Sequence, residues 1–262
     1  MISRFNYTIA EVRTGDKVHF LDASYPLGFD KLHVSCYNGH ARILDEDATA
    51  VQFDADSLME QKLTSIIVRQ EQGMLKGTFQ QRPTYFESYG LRGLVKEKGK
   101  EEYFKPMDKL FTKVSNTAID DLDSLERSVM VKYDFEYETA GEDMVYLNPM
   151  FGEATKSNPF KSEERKYPVE MPSTMDEIYT LNMEIPEGYE VEEMPKSTMV
   201  KFNEDEGMFQ YMIAQSENVI QFRSRIKLTK ASFLPEEYNT LRDFFDMIVK
   251  KQGEQIVLRK KK

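Results

Sequence analysis

From Val129 to Glu138 the chain alternates without a break: Val129, Val131, Tyr133, Phe135 and Tyr137 interleave with Met130, Lys132, Asp134, Glu136 and Glu138. A two-residue period of this length fits an extended strand with one buried face, because successive side chains of a strand point to opposite sides. The pattern returns at Ile220, Phe222, Ser224, Ile226 and Leu228, with Gln221, Arg223, Arg225 and Lys227 opposite. Tyr179, Leu181, Met183 and Ile185 share a third such face, closed by Pro186-Glu187-Gly188. Two hairpins are also legible. Thr64–Gln70 and Met74–Gln80 flank Gln72-Gly73, and Thr198–Asn203 and Met208–Ala214 flank Glu204-Asp205-Glu206-Gly207.

Near the N-terminus, Asn6 to Arg13 and Lys17 to Asp22 form a hairpin around Thr14-Gly15-Asp16, followed by a loop from Ser24 to Gly39. An isolated hairpin is marginal in water, so this segment reads as the tail of a domain rather than its head. Helical signals occur twice. Thr84 to Phe111 loses the alternation and is expected to be helical, broken near Gly99 and again before Pro106. Pro235 to Gln252 carries Tyr238, Leu241, Phe245 and Ile248 as one apolar stripe, with acids at its start, Lys250 and Lys251 in its last turn, and Gly253 as the stop. A closing strand, Gln255 to Arg259, is expected to return to the sheet. The stretch from Gly152 to Pro172, rich in Pro, Lys, Glu and Ser, supplies a boundary. The expected fold is mainly β: two β-sandwich-like domains, residues 41–155 and 156–262, each with helical cover, preceded by the hairpin and loop of residues 1–40.

The net charge of −10 argues against nucleic acid as a partner, and the basic tail Arg259-Lys260-Lys261-Lys262 reads as a solvated end. No apolar run approaches a membrane span. The single cysteine, Cys36, excludes an internal disulfide. Tyr133-Phe135-Tyr137 and Phe209-Tyr211 read as core rather than as sugar-stacking platforms. The run Glu190 to Glu193 reads as a solvated strand edge.

Phe5-Asn6-Tyr7-Thr8-Ile9-Ala10, the Gly15 turn and Phe20-Leu21-Asp22-Ala23-Ser24 resemble the last two strands of a transglutaminase-like core. Pro26-Leu27-Gly28 and Cys36-Tyr37-Asn38-Gly39 are similar to the loop after that core in envelope proteins of Gram-negative bacteria. Tyr146-Leu147-Asn148-Pro149, Asn158-Pro159-Phe160, Glu164 through Val169, Pro186-Glu187-Gly188-Tyr189 and the Tyr238–Phe245 helix resemble the β region of unassigned function that ends such proteins. The resemblance makes residues 1–40 a remnant of the core.

It also assigns roles. A transglutaminase-like centre needs a thiolate, an imidazole to activate it and a carboxylate to orient the imidazole. Asp22 matches the orienting aspartate. Tyr7 stands where the family has histidine, and a phenol titrating near ~10 is no base at neutral pH. No catalytic residue is therefore assigned beyond Asp22 as a remnant. His33, Cys36 and His40 lie close together, and with Asp45 they could supply four zinc ligands, but the spacing follows no strong zinc pattern. The reading is a small buried cysteine and two surface loop histidines, with no metal and no cofactor. His19 reads as packed or exposed.

The expected function is a non-catalytic accessory or binding β region of a transglutaminase-like protein. One alternative is part of a cysteine transamidase or peptidase completed by an upstream or separate chain. Another is a peptide or glycan binding module of the cell envelope. The partners implied are a transglutaminase-like core or an envelope protein. The resemblance implies the periplasm or cell envelope if the natural chain extends upstream with an export signal; Met1 to Tyr7, without an apolar signal core, implies the cytoplasm.

Overall fold

The computed structural model describes residues 7–262 except 38, 72, 73 and 140. The start of the first hairpin at Asn6 and the turn at Gln72-Gly73 thus lie outside the described residues.

In chain order, β1 (Ala10–Thr14) and β2 (Lys17–Leu21) form the first hairpin. A short 3-10 turn, Val34–Cys36, precedes the small pair β3 (Ala41–Arg42) and β4 (Ala50–Val51). The long hairpin β5 (Met59–Glu71) and β6 (Met74–Pro83) leads into α1 (Tyr85–Lys98) and α2 (Lys100–Phe104). Gly99 separates the two helices with a φ of 89°, and Pro106 lies in the 3-10 turn that follows, so the two expected breaks fall where anticipated. Strands β7 (Lys113–Asp120), β8 (Met130–Tyr137) and β9 (Met144–Leu147) complete the first half. The second half contains β10 (Val169–Glu170), β11 (Thr174–Glu184), β12 (Tyr189–Glu193), β13 (Thr198–Phe202), β14 (Gly207–Ser216), β15 (Val219–Leu228) and β16 (Ser232–Phe233). It ends with α3 (Tyr238–Gln252) and β17 (Ile256–Lys260).

The molecule is mainly β, as its alternation requires, but its strands do not divide into one sheet per half. They share one eight-stranded sheet in the order β13-β14-β15-β11-β5-β6-β8-β7. The junction is β5 with β11, the sheet's one parallel pair among the described strands. Its cause is visible in the side chains. Ile213, Phe222, Leu181, Ile66, Phe79 and Tyr133 are cross-strand neighbours in one unbroken apolar row, drawn from both sides of residue 155. Separating β5 from β11 would expose the edge of that row to water.

The segment from Gly152 to Pro172, expected as a boundary, lies against the second half: Thr155 N–H donates to Gln252 Oε1 at 2.8 Å, and Asn158 Nδ2 donates to the Arg242 carbonyl at 2.8 Å, tying it to α3. Its polar composition serves these side chain–backbone bonds. One further expectation is corrected: the closing strand β17 does not return to the main sheet. It lies between β12 and β9 in a separate three-stranded sheet, where Ile256 and Leu258 are buried. In that sheet β12 is an edge strand, and Glu190 and Glu192 both pair with Arg259.

One face of the main sheet is covered by α3 against β13 and β14, and by aromatic packing of Phe104, Phe111 and Phe151 around Tyr133 and Phe135. Tyr133, Phe135, Phe209 and Tyr211 are buried there, as expected of core aromatics. The other face is bare over most of its width.

Candidate functional site

The hairpin β1–β2 presents Asp22 just past the end of β2, where the chain turns into the Ser24–Gly39 loop. The Tyr7 hydroxyl donates to Asp22 Oδ2 at 2.6 Å, the His33 backbone N–H donates to the same oxygen at 3.2 Å, and the Ser24 N–H donates to Oδ1 at 2.9 Å. Burial works against the carboxylate's charge, yet the hydrogen bonds from Tyr7, Ser24 and His33 outweigh it and hold its pKa below the usual range. The Tyr7 phenol moves the other way. Burial, with the hydrogen bond and charge of Asp22, pushes it up to about 12. The pair is a neutral phenol on an ionised carboxylate, and at neutral pH neither group can accept a proton from a thiol.

The structure does bring His33 and Cys36 into the same loop, but not into a dyad. His33 Nδ1 accepts the Ser35 backbone N–H at 3.3 Å and meets Ser35 Oγ at 2.8 Å, capping the 3-10 turn. A neutral ring that accepts at Nδ1 carries its proton on Nε2 and has no second lone pair for a base. The ring stacks on Tyr25 at 4.1 Å, and Tyr7 lies beyond at 6.2 Å, so His33 is half-buried rather than a surface residue. Cys36 is 9% exposed. Burial, then the nearby charge of Asp22, pushes its thiol up to about 11. At pH 7 that leaves about one thiolate in ten thousand, the opposite of an activated nucleophile. A cleft of about 490 Å³ opens beside this turn, between Tyr37, Asp54 and Glu170; Ser35 and Tyr37 line it, and Cys36 does not.

His40 is exposed. Asp45 spends both carboxylate oxygens on Thr49, at 2.9 Å to its N–H and 2.7 Å to its hydroxyl. Among the described residues, no three of His, Cys, Asp and Glu are placed to hold a metal ion.

Two constellations escaped the sequence reading. His19 sits between Asp30 and Thr14, with Nδ1 3.1 Å from Asp30 Oδ2 and Nε2 3.1 Å from Thr14 Oγ1. That connectivity is the one a hydrolytic triad uses. Here, however, Thr14 is exposed beside the turn, and Asp30 also accepts the Phe20 N–H at 3.0 Å. A hydroxyl facing bulk water lacks the dry, preorganised surroundings that stabilise an oxyanion, and the trio acts as a staple between hairpin and loop. Asp30 adopts a φ of 59°, a left-handed conformation that Asp tolerates and that no periodicity announces.

The second is a part-buried ion cluster at the inward face of β5 and β11, with Glu87 at its exposed rim. Lys62 Nζ lies 3.1 Å from Glu177 and 3.8 Å from Glu87, and Gln81 Nε2 donates to Glu153 at 2.7 Å. Burial raises the Glu153 and Glu87 carboxyls above their usual range against the pull of Lys62. Burial disfavours the Lys62 charge, yet Glu177 and Glu87 overcome it and raise its pKa. A cavity of about 20 Å³ adjoins the cluster, room for one water. Glu60, Lys62 and Thr64 occupy inward positions of β5, which was the signal available: three polar residues on a face that continues as Ile66 and Val68.

Residues 143–258 match the family described as a domain of unknown function with a solved structure, DUF3858. No curated protein matches the chain. A crystal structure described as a "putative protease" from Parabacteroides distasonis is similar at 18% identity and a TM-score of 0.39. The similarity covers 46% of this chain and 24% of that one. Among the described residues, no helix is long and apolar enough to cross a membrane.

Proposed function

We propose that this chain is a non-catalytic accessory β region of a transglutaminase-like protein, which positions or presents such a core or a remnant of it in the periplasm or cell envelope. The observation that carries this reading is the Tyr7–Asp22 pair. The carboxylate that would orient a catalytic imidazole instead holds a phenol at 2.6 Å, and the chain's one thiol is buried and protonated. The eight-stranded sheet, by contrast, is continuous across both halves of the chain, which suits a supporting role. The alternative, an enzyme completed by an upstream or separate chain, requires a histidine to reach an Asp22 carboxylate that already accepts from Tyr7, Ser24 and His33. The test is hydrolysis and transamidation of glutamine-containing peptides by the purified chain. Turnover no higher than that of a Cys36→Ala variant is expected; turnover abolished by that substitution would overturn the proposal.

A further inference from the structure

The bare face of the main sheet is not uniform. On the part built by β7, β8 and the adjoining edge of β6, almost every charge has a partner. Lys132 meets Asp120 at 2.6 Å, Lys113 meets Glu136 at 3.4 Å, and Asp134 accepts from both Thr78 and Asn116. This is how an antiparallel sheet presents a solvated side. From the Arg82 end of β6 across β5, β11, β15, β14 and β13 the character changes. Arg69, Arg82 and Arg223 point outward with no carboxylate in ion-pair range among the described residues. On the same face Leu63 and Ile67 are 47% and 46% exposed, and Met199 and Met212 are 58% and 45% exposed. Register places them together: Met212 opposes Arg223, Arg223 opposes Thr180, and Leu63 opposes Arg82. The acids at hand are spent, Asp176 on a bidentate bond to Arg225 and Glu184 on the Gln70 N–H.

We infer that this half of the sheet is a docking surface for an acidic protein partner. The inference goes beyond the proposed function, since it holds whether or not Asp22 serves catalysis. Arginine and methionine interleaved with aliphatics is the composition of a protein interface, whereas a solvated face favours paired lysine and glutamate. The occupant follows from charge. Acidic residues outnumber basic ones 45 to 35 in the whole chain, yet unpaired cations gather on this face. Carboxylates on a partner would complete them and leave the apolar side chains to bury against it. A second copy would bring the same cations face to face. A phosphate polymer calls for a dense basic track, but Arg82 and Arg223 stand three strands apart, roughly 14 Å at the usual strand spacing.

The test is binding of a fluorescent random copolymer of glutamate and tyrosine to the full chain. Parallel arms use phosphatidylglycerol vesicles, a single-stranded oligonucleotide and sedimentation of the chain alone. The copolymer should bind, weaken as salt rises, and lose at least about tenfold in affinity in an Arg82→Glu/Arg223→Glu variant. Lys113→Glu/Lys132→Glu, on the paired half, should retain binding within about twofold, and circular dichroism should show both variants folded. No copolymer binding, equal losses in the two variants, or preference for vesicles, oligonucleotide or self-association would each overturn the inference.

Discussion

Replacing Leu181 with alanine probes the junction on which the fold turns. Leu181 is 1% exposed, and it sits in register between Phe222 on β15 and Ile66 on β5. The substitution removes three carbons, about 2.4 kcal/mol of transfer free energy at about 0.8 kcal/mol per carbon. Neighbours held by sheet pairing on both sides relax little, so the cavity left behind raises the cost to about 3–4 kcal/mol. For a chain of this size that corresponds to a fall of roughly 10 °C in Tm. The informative assay is urea unfolding combined with hydrogen exchange read peptide by peptide. If β5 and β11 belong to one cooperative sheet, the most protected amides of β5–β6 and of β14–β15 should lose protection by the same free energy. A single shifted transition should accompany that loss. Loss confined to residues 156–262, with β5–β6 unchanged, would refute the one-sheet reasoning and restore two independent units.

Other substitutions test the remaining arguments. Gly77 faces Phe135, whose ring would lie 2.0 Å from an added Cβ; Gly77→Val should cost about 2–3 kcal/mol, while Gly90→Ala, in open space on α1, should stabilise by about 0.5–1 kcal/mol, both measured by urea unfolding. Tyr7→Phe removes the strongest support of the Asp22 carboxylate, so carbon-detected NMR should show that carboxyl titrating at higher pH. Because its folded pKa is depressed, Asp22 contributes stability that is present above the unfolded carboxylate pKa and lost as pH falls through the folded value; the variant should show a smaller acid-side loss. Lys62→Met leaves Glu153, Glu87 and Glu177 without their cation. Carboxyls already raised by burial lose stability as pH rises, so the variant should be more destabilised at pH 8 than at pH 5, with equal penalties at both counting against the cluster.

How much of this was legible follows from what a two-residue period encodes. The alternation of Val129–Tyr137 and Ile220–Leu228 states which side chains turn inward, and the structure places those strands accordingly. It does not state which strand lies alongside. The pairing of β5 with β11 joins residues more than a hundred positions apart, and only their complementary inward rows select it. The segment around Asn158 reads as a boundary because its composition is polar, and the structure shows where that polarity goes, to α3. At the candidate site, resemblance supplied Tyr7 and Asp22, and a hydrogen bond joins them across fifteen residues, outside the paired register of the hairpin. The capping role of His33 and the partnership of His19 with Asp30 depend on loop backbone geometry, which leaves no period to read.

Beside the Tyr7–Asp22 pair, the non-catalytic reading requires Cys36 to be an inert thiol. Its alkylation rate by iodoacetamide, followed from pH 7 to pH 11 and normalised to the chain unfolded in urea, tests this directly. The folded chain should react far more slowly than the unfolded one near neutrality and gain reactivity only as pH approaches about 11. Rapid, stoichiometric modification of the folded chain at pH 7 would mean an activated thiolate, and the non-catalytic reading would fail.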